Sequence, residues 1–488
     1  MILSAFGNLT DKYRSLPVQV KASFWWLVCA FLQRGVSVIT TPVFTRIMTP
    51  AEYGASAVFF SWLEIAKTVI TLYVFAEAYM LGLVKFGDTR NQFTSSMEGL
   101  CLTLILVWAA IYVLFRDFWN GLLSLTTVQM AAMFVIVWTS SVSAFWAAEQ
   151  RIDYKYIRLS CAFLLTGILS PLFGIYLVLH SEDKVTARIV AFAAVDFIFY
   201  IWIFFAQMLR GRKFFSPGIW KYAILFNLPL LPHYLSDTVL KFSDRIMIEK
   251  MIGAQEAGIY SLAFAISVVT TIFNGAIYQS IQPWLYKTIN ERRIGDLSSV
   301  AVSSLILVAS VNIALLLFVP EVVSFFAPQS YHNAIWVIPP LAMSVYFLYT
   351  FTLFTVFQFY YEKPYLVTAV TLFAALLNII LNYFFLGVFG YYAAGYTTLF
   401  CYIVFSVMHY YFTKKICKKY SGNARPYDTK AIIKVSSAFL ALGFVILFTY
   451  NNTAMRYSLT ALIFVTGFLL RRFIAGYVRE LLRRKREG

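Results

Sequence analysis

Charged side chains are scarce in this chain. Only 13% of its 488 residues are Asp, Glu, Lys or Arg, about half the roughly 25% typical of soluble globular proteins. That scarcity, beside a 60% hydrophobic content, excludes an ordinary water-soluble domain, whose core could not hide so much apolar surface. The apolar runs lack a period-two alternation, which argues against a membrane barrel. A G-x-x-x-x-G-K-S/T phosphate loop is missing, so the chain itself is no ATPase. No H-E-x-x-H or G-x-S-x-G is present either, and no cofactor or metal is expected. The five cysteines (Cys29, Cys101, Cys161, Cys401, Cys417) show no C-x-x-C pair or metal spacing and read as core fillers. A cleavable signal peptide is not expected. The first apolar run is long, contains Arg34 and ends without small-residue cleavage chemistry.

What the chain does have is a series of apolar windows of about twenty residues, each long enough to cross a ~30 Å hydrocarbon layer. They fall at 22–44, 54–79, 96–115, 127–148, 159–180 and 188–209, then 222–243, 257–283, 297–318, 334–360, 365–388, 391–412, 431–449 and 457–474. The fold class that follows is all-α integral membrane, with about fourteen transmembrane helices. Most of the 40 Lys and Arg residues lie in one alternate set of loops and in the tails, including Arg483, Arg484, Lys485 and Arg486. That bias places both termini in the cytoplasm and accounts for the net charge of +17 without nucleic acid. The loops left on the other side are short, leaving little room for an external catalytic domain.

An internal repeat pairs "TRIMTPAEYGASAVFFS" (45–61) with "EKMIGAQEAGIYSLAFA" (249–265), matching Arg46 with Lys250, Glu52 with Glu256 and Gly54 with Gly258. Six helices per copy is an even number, so the copies share one orientation and form parallel repeats. The expected organisation is an N-terminal six-helix lobe over 1–213 and a C-terminal six-helix lobe over 214–420. Two further helices and a basic tail occupy 421–488. Between the lobes a central cleft is expected.

Ionisable residues within spans carry the chemistry, because each costs roughly 2.5–3.5 kcal/mol at a helix centre and therefore faces protein or water. Arg34 lies about 18 Å into the first span and Glu64 about 15 Å into the second, both near the midplane. Lys67 follows Glu64 on the same face, and Asp237, Lys241 and Asp244 follow an i, i+4, i+7 stripe, with His233 one turn earlier. Glu77 and Asp196 are weaker members of the set. A charged stripe along a cleft makes a hydrated pathway. The blander reading of Glu64–Lys67 and Asp237–Lys241 is a pair of neutralised contacts that lock helices together. Pro229 and Pro232, Pro171, and Pro339 and Pro340 interrupt helices. Asn378 and Asn382, one turn apart, are placed to hydrogen-bond across helices.

The opening "FLQRGVSVITTPVFTRIMTPAEYGASAVFFSWLEI" resembles the polysaccharide-transporter family of the multidrug/oligosaccharidyl-lipid/polysaccharide exporter superfamily. "LPLLPHYLSDTVLKFSDRIMIEKMIGAQEAGIYSLAFAIS", "SYHNAIWVIPPLAM" and "LLNIILNYFFLGVFGYYAAGYTTLF" resemble it too, in the expected order. The resemblance implies two six-helix bundles around a central cavity. It also implies a flippase that moves an undecaprenyl-pyrophosphate-linked oligosaccharide across the bacterial cytoplasmic membrane for surface polysaccharide biosynthesis. Membrane lipids and the polymerase machinery are the further partners it suggests. Family flippases have cationic cavities, and Arg34, Lys67 and Lys241 match that role as substrate-binding residues. Glu64, Asp237 and Asp244 are then the candidates for a coupling proton or sodium ion, and they depart from a purely cationic lining. Two alternatives stay open. One is an ion-coupled multidrug or cation antiporter on the same scaffold, and the other is a membrane sugar polymerase or transferase.

Overall fold

The computed structural model describes residues 18–420, 422 and 426–469, apart from the side chains of a few helix residues, Arg34 among them. The basic tail at 483–486 lies outside the described residues. Among the described residues the regular structure is entirely helical: α1 (Val18–Ile47), α2 (Pro50–Thr71), α3 (Glu77–Lys85), α4 (Arg90–Leu114), α5 (Arg116–Leu123), α6 (Thr127–Ile152), α7 (Tyr156–Leu179), α8 (Lys184–Gly211), α9 (Pro217–Asn227) and α10 (Leu231–Met251). After them come α11 (Ala254–Ser267), α12 (Thr270–Asn290), α13 (Leu297–Leu317), α14 (Val319–Phe326), α15 (Ile338–Tyr360), α16 (Pro364–Phe389), α17 (Tyr392–Tyr420), α18 (Thr429–Phe448) and α19 (Thr453–Leu469).

Nine stretches among the described residues are long and apolar enough to cross a membrane, and each coincides with one of the expected spans. The other five expected spans overlap helices α1, α2, α9–α10, α17 and α19, with positions 470–474 of the last span outside the described residues. Large apolar side chains such as Trp202, Leu209, Val388 and Phe448 point outward, as contact with lipid requires.

The repeat read from the sequence extends to helix boundaries. α1 ends at Ile47 and α2 begins at Pro50, while α10 ends at Met251 and α11 begins at Ala254. In the first copy Thr49 caps α2 and Glu52 returns the bond, its Oε2 accepting from Thr49 N at 2.7 Å. In the second copy Gly253, at φ 157°, takes the cap position, and a Cβ there would lie 2.9 Å from Glu256 Oε2. The glycine and the glutamate are therefore a matched pair. Later in each copy a long helix runs directly into a short one, α4 into α5 and α13 into α14.

Three expected spans are broken. Pro229 and Pro232 sit where α9 gives way to α10, as their chemistry requires. The break after α2 was not expected, because "TLYVFAE" contains neither Gly nor Pro. Leu72 and Tyr73 adopt left-handed φ values of 50° and 55° there. One local and one distant contact meet there: the Thr71 hydroxyl accepts from Tyr73 N at 3.2 Å, and the Tyr73 ring lies 4.6 Å from that of Tyr234. The third break, between α11 and α12, also lacks a sequence breaker. Two proline expectations are corrected: α7 runs through Pro171, and Pro339 and Pro340 open α15, where missing N–H groups are harmless.

The chain divides into two compact units, residues 1–238 and 239–488. In the first, α8 packs on α7, α6, α4 and α2, around a core that includes Phe59, Tyr79, Phe93, Met97 and Phe145. Residues 217–238 are part of this unit: Trp220 Nε1 donates to Ser96 O at 2.9 Å and Tyr222 OH to Ala78 O at 3.3 Å. In the second, α15 is the central helix, packed on α11, α12, α13, α16, α17 and α18.

Candidate functional site

Each unit carries polar chemistry at membrane depth. In the first, α2 presents Glu64 and Lys67 on one face, and their side chains form an ion pair at 2.6 Å. The charge of Lys67 also reaches Asp196 on α8. Asp196 is buried at the edge of a cavity of about 440 Å³, whose polar lining includes Gln33, Ser37, Thr166 and Arg188. Arg188 is spread over the Phe44 ring at 4.3 Å and donates to Ser56 Oγ at 2.8 Å. Its cationic face is thereby shared between aromatic and hydroxyl partners.

At the break after α2, acids gather. Glu64, Glu77 and Asp237 all act electrostatically on the Tyr73 phenol, and Tyr234 OH donates to Glu77. Thr68 and Thr238 hydroxyls meet at 3.3 Å, fastening α2 to the half of α10 that belongs to this unit. The structure thus brings together Glu64, Lys67 and Asp237, three of the residues singled out from the sequence. Arg34 lies on α1, but its side chain is outside the described residues.

In the second unit, Lys241 is exposed on α10, while Asp244 is only 2% exposed. Asp237, Lys241 and Asp244 lie within about 60° of one another around α10, but burial differs along that face. The packing of α11, α16 and α17 captures Asp244, through Tyr260, Asn382 and Thr398. Its Oδ1 accepts from Asn382 Nδ2 at 2.7 Å. Its Oδ2 accepts from Tyr260 OH at 2.5 Å and Thr398 Oγ1 at 2.9 Å. Thr397 donates to Asn382 Oδ1, Asn382 Nδ2 also reaches Asn378 Oδ1 at 3.2 Å, and Ser243 donates to that oxygen at 3.5 Å. Asn378 and Asn382 thus bond across helices as their spacing predicts. A buried carboxylate ringed by hydroxyl and amide groups is chemically suited to hold a proton or a small hard cation.

Sequence reasoning missed Tyr260, Thr397 and Thr398, because hydroxyls in an apolar run carry no charge signal. It also missed Arg188 and the buried Glu98 and Glu149. Glu98 stands at the start of an apolar run and Glu149 at the end of one, where acids read as interfacial.

This is the fold of a multi-pass flippase or transporter. It is similar to the lipid II flippase MurJ in an inward closed conformation, with a TM-score of 0.67, 14% identity, and coverage of 92% of this chain and 99% of that one. An inward-facing multidrug resistance MATE family transporter aligns with a TM-score of 0.60 and 15% identity over 80% of this chain and 96% of its own. The chain belongs to the polysaccharide biosynthesis protein family, whose model matches residues 20–289. An Lsg locus protein of Haemophilus influenzae is 22% identical over 297 residues, covering 56% of this chain and 67% of that one.

Proposed function

We propose that this protein is a flippase that moves an undecaprenyl-pyrophosphate-linked oligosaccharide from the cytoplasmic to the outer leaflet of the bacterial cytoplasmic membrane. The two lobes alternate access, and both termini lie in the cytoplasm. The observation that carries this reading is charge held at membrane depth, Lys67 with Glu64 and Asp196, in a chain of a polysaccharide biosynthesis family. Arg34, Lys67 and Lys241 attract the pyrophosphate, since cation–phosphate bonds strengthen where water is partly excluded. Asp244, with Glu64 and Asp237 as the other acids of the set, carries the coupling proton or sodium ion. The polyprenyl tail stays in lipid while the sugar head crosses in a wet path, and the polymerase machinery receives the product.

Export of surface polysaccharide by a flippase-deficient host tests the reading. The wild-type chain restores export, and Arg34→Ala at equal membrane level does not. Full export by Arg34→Ala removes that residue from the mechanism, and no export by the wild type in a host making the matching lipid-linked glycan removes the substrate.

A second reading is a cation antiporter. The acids Glu64, Glu77 and Asp237 around Tyr73 favour it, because an acidic lining attracts organic cations. Efflux of a lipophilic dye cation from cells carrying the protein separates the two.

A further inference from the structure

Away from these groups, three helices of the first unit meet around two buried acids. Glu98 on α4 is 1% exposed and Glu149 on α6 is 5% exposed. Both oxygens of Glu149 accept from neutral donors, Thr94 Oγ1 at 3.0 Å and Gln207 Nε2 of α8 at 3.1 Å. Tyr79 OH lies 2.7 Å from the same Thr94 hydroxyl, so its proton extends the relay. Glu98 Oε1 finds no donor, and neither does the Gln207 amide oxygen, itself 2% exposed. The charge whose field reaches Glu98 is that of Glu149.

Among the described residues, no Lys, Arg or His forms an ion pair with either acid. The nearby guanidinium of Arg90 is committed elsewhere, to Asp153 Oδ1 at 2.6 Å and to the Glu149 carbonyl at 3.3 Å. The site therefore has more acceptor oxygens than donors, in a unit whose buried apolar core includes Phe93, Met97 and Phe145. Two carboxylates so placed, without a cation, are not both ionised, because neither water nor a counter-charge offsets them.

Packing alone does not ask for acids at this junction. In the second unit the corresponding helices α15 and α17 are joined by Gln358 and His409, both fully buried and bonded at 3.1 and 3.2 Å. α13, α15 and α17 carry no Asp or Glu at all. The acids belong to the first unit only.

We propose that Glu98 and Glu149 form a proton-binding site separate from Asp244, holding one proton and exchanging it with water past Arg90 and Asp153. The proton leaves a carboxyl O–H for water and returns to a carboxylate oxygen, and no other bond changes. A bare proton suits the packing better than a metal ion, since Glu149 is already satisfied by Thr94 and Gln207 and only one acceptor pair remains. The other titratable groups facing the site are Tyr79, Cys101 and Arg90. Asp153 and Lys155 stand at its mouth. Burial pushes the Asp153 carboxyl up, but hydrogen bonds and charge from Lys155 and Arg90 bring it below the ordinary range. Asp153 thus stays ionised, and the buried pair stores the proton. This site does not depend on which substrate is carried.

Infrared difference spectroscopy of the full chain in lipid nanodiscs, titrated in sodium-free buffer, reads protonated carboxyl groups directly. The expected result is a carboxyl C=O band that appears and disappears with pH and is absent from both Glu98→Gln and Glu149→Gln. Glu98→Asp and Glu149→Asp keep a titrating band at a changed frequency, and they decide the matter if a Gln variant fails to reach the membrane. A band that survives in both Gln variants, or stays unmoved in both Asp variants, overturns the site. A band that never titrates marks a permanently neutral structural contact and also overturns it. Sodium added at constant pH leaves the band unchanged, and a sodium-dependent band overturns the proton as occupant.

Discussion

Asn382 Nδ2 donates to Asp244 Oδ1 at 2.7 Å, joining α16 to α10 across 138 positions of the chain. The bond places a neutral donor against a buried acid, whose oxygens also accept from the hydroxyls of Tyr260 and Thr398 and which feels the charge of the neighbouring Arg245. Asp244→Asn keeps the shape and removes the charge. The account expects normal membrane levels and a loss of ion-driven transport of roughly tenfold or more, a barrier change of about 1.4 kcal/mol. Unchanged ion dependence at normal levels would remove Asp244 from coupling.

The same network has a stability share. Thr398→Val deletes a donor to a charged acceptor, which is worth about 1.5–3 kcal/mol. Its melting midpoint in detergent should fall well below that of Ser310→Ala. Ser310 is exposed and bonds only its own helix, to Ile306 O at 2.8 Å. Equal midpoints for the two variants would show that the Thr398 bond contributes little.

Lys67 serves two acids, Glu64 by direct contact and Asp196 through its field. Lys67→Met leaves both without their cation, so a drop in export several-fold larger than that of Lys67→Arg is expected. If Lys67→Met and Glu64→Gln combined restore wild-type export, the pair only locks helices, and Lys67 is not a substrate ligand.

Leu72 is a left-handed non-glycine residue, a conformation that costs about 1–2 kcal/mol. Leu72→Gly is expected to raise the thermal midpoint or leave it unchanged. Val58→Gly, in the middle of α2 and buried, should lower it, by about 1 kcal/mol from the helix backbone alone. A loss at Leu72→Gly as large as that at Val58→Gly would argue that the Leu72 side chain, not the backbone turn, holds the break.

Asp153 is bonded by Arg90 at 2.6 Å and Lys155 at 2.7 Å. Because these partners hold its carboxyl below the ordinary range, its contribution is present above pH ~4, where the unfolded group ionises. It is lost as pH falls through the lowered value. Asp153→Asn should therefore cost up to about 1 kcal/mol at neutral pH and nothing in strong acid, as read by melting at both pH values. A penalty independent of pH would contradict the charge-based account.

Much of the architecture is legible in the residues. Long apolar windows, the Glu52/Glu256 repeat and the proline pair at 229 and 232 each have a local physical cause, and the helices fall where those causes place them. The break at Leu72 is different in kind. The Tyr73 ring there packs on that of Tyr234, and nothing within "TLYVFAE" reports a partner so far along the chain. The candidate site is legible where charge marks it, as at Glu64 and Lys67. It is illegible where packing decides: Asp244 shares a nominal stripe with Lys241, yet one is buried and the other exposed. Thr398 and Tyr260 become functional candidates only because the fold brings them to a carboxylate.

The most direct measurement is movement of an undecaprenyl-pyrophosphate-linked oligosaccharide across proteoliposomes that contain only this protein. A membrane-impermeant lectin or glycosidase would report which leaflet holds the sugar. The account predicts sugar accessibility that rises with time under an imposed ion gradient, is slowed in Lys67→Met, and loses its gradient dependence in Asp244→Asn. Accessibility equal to that of protein-free vesicles, with folded protein present in the membrane, would contradict it.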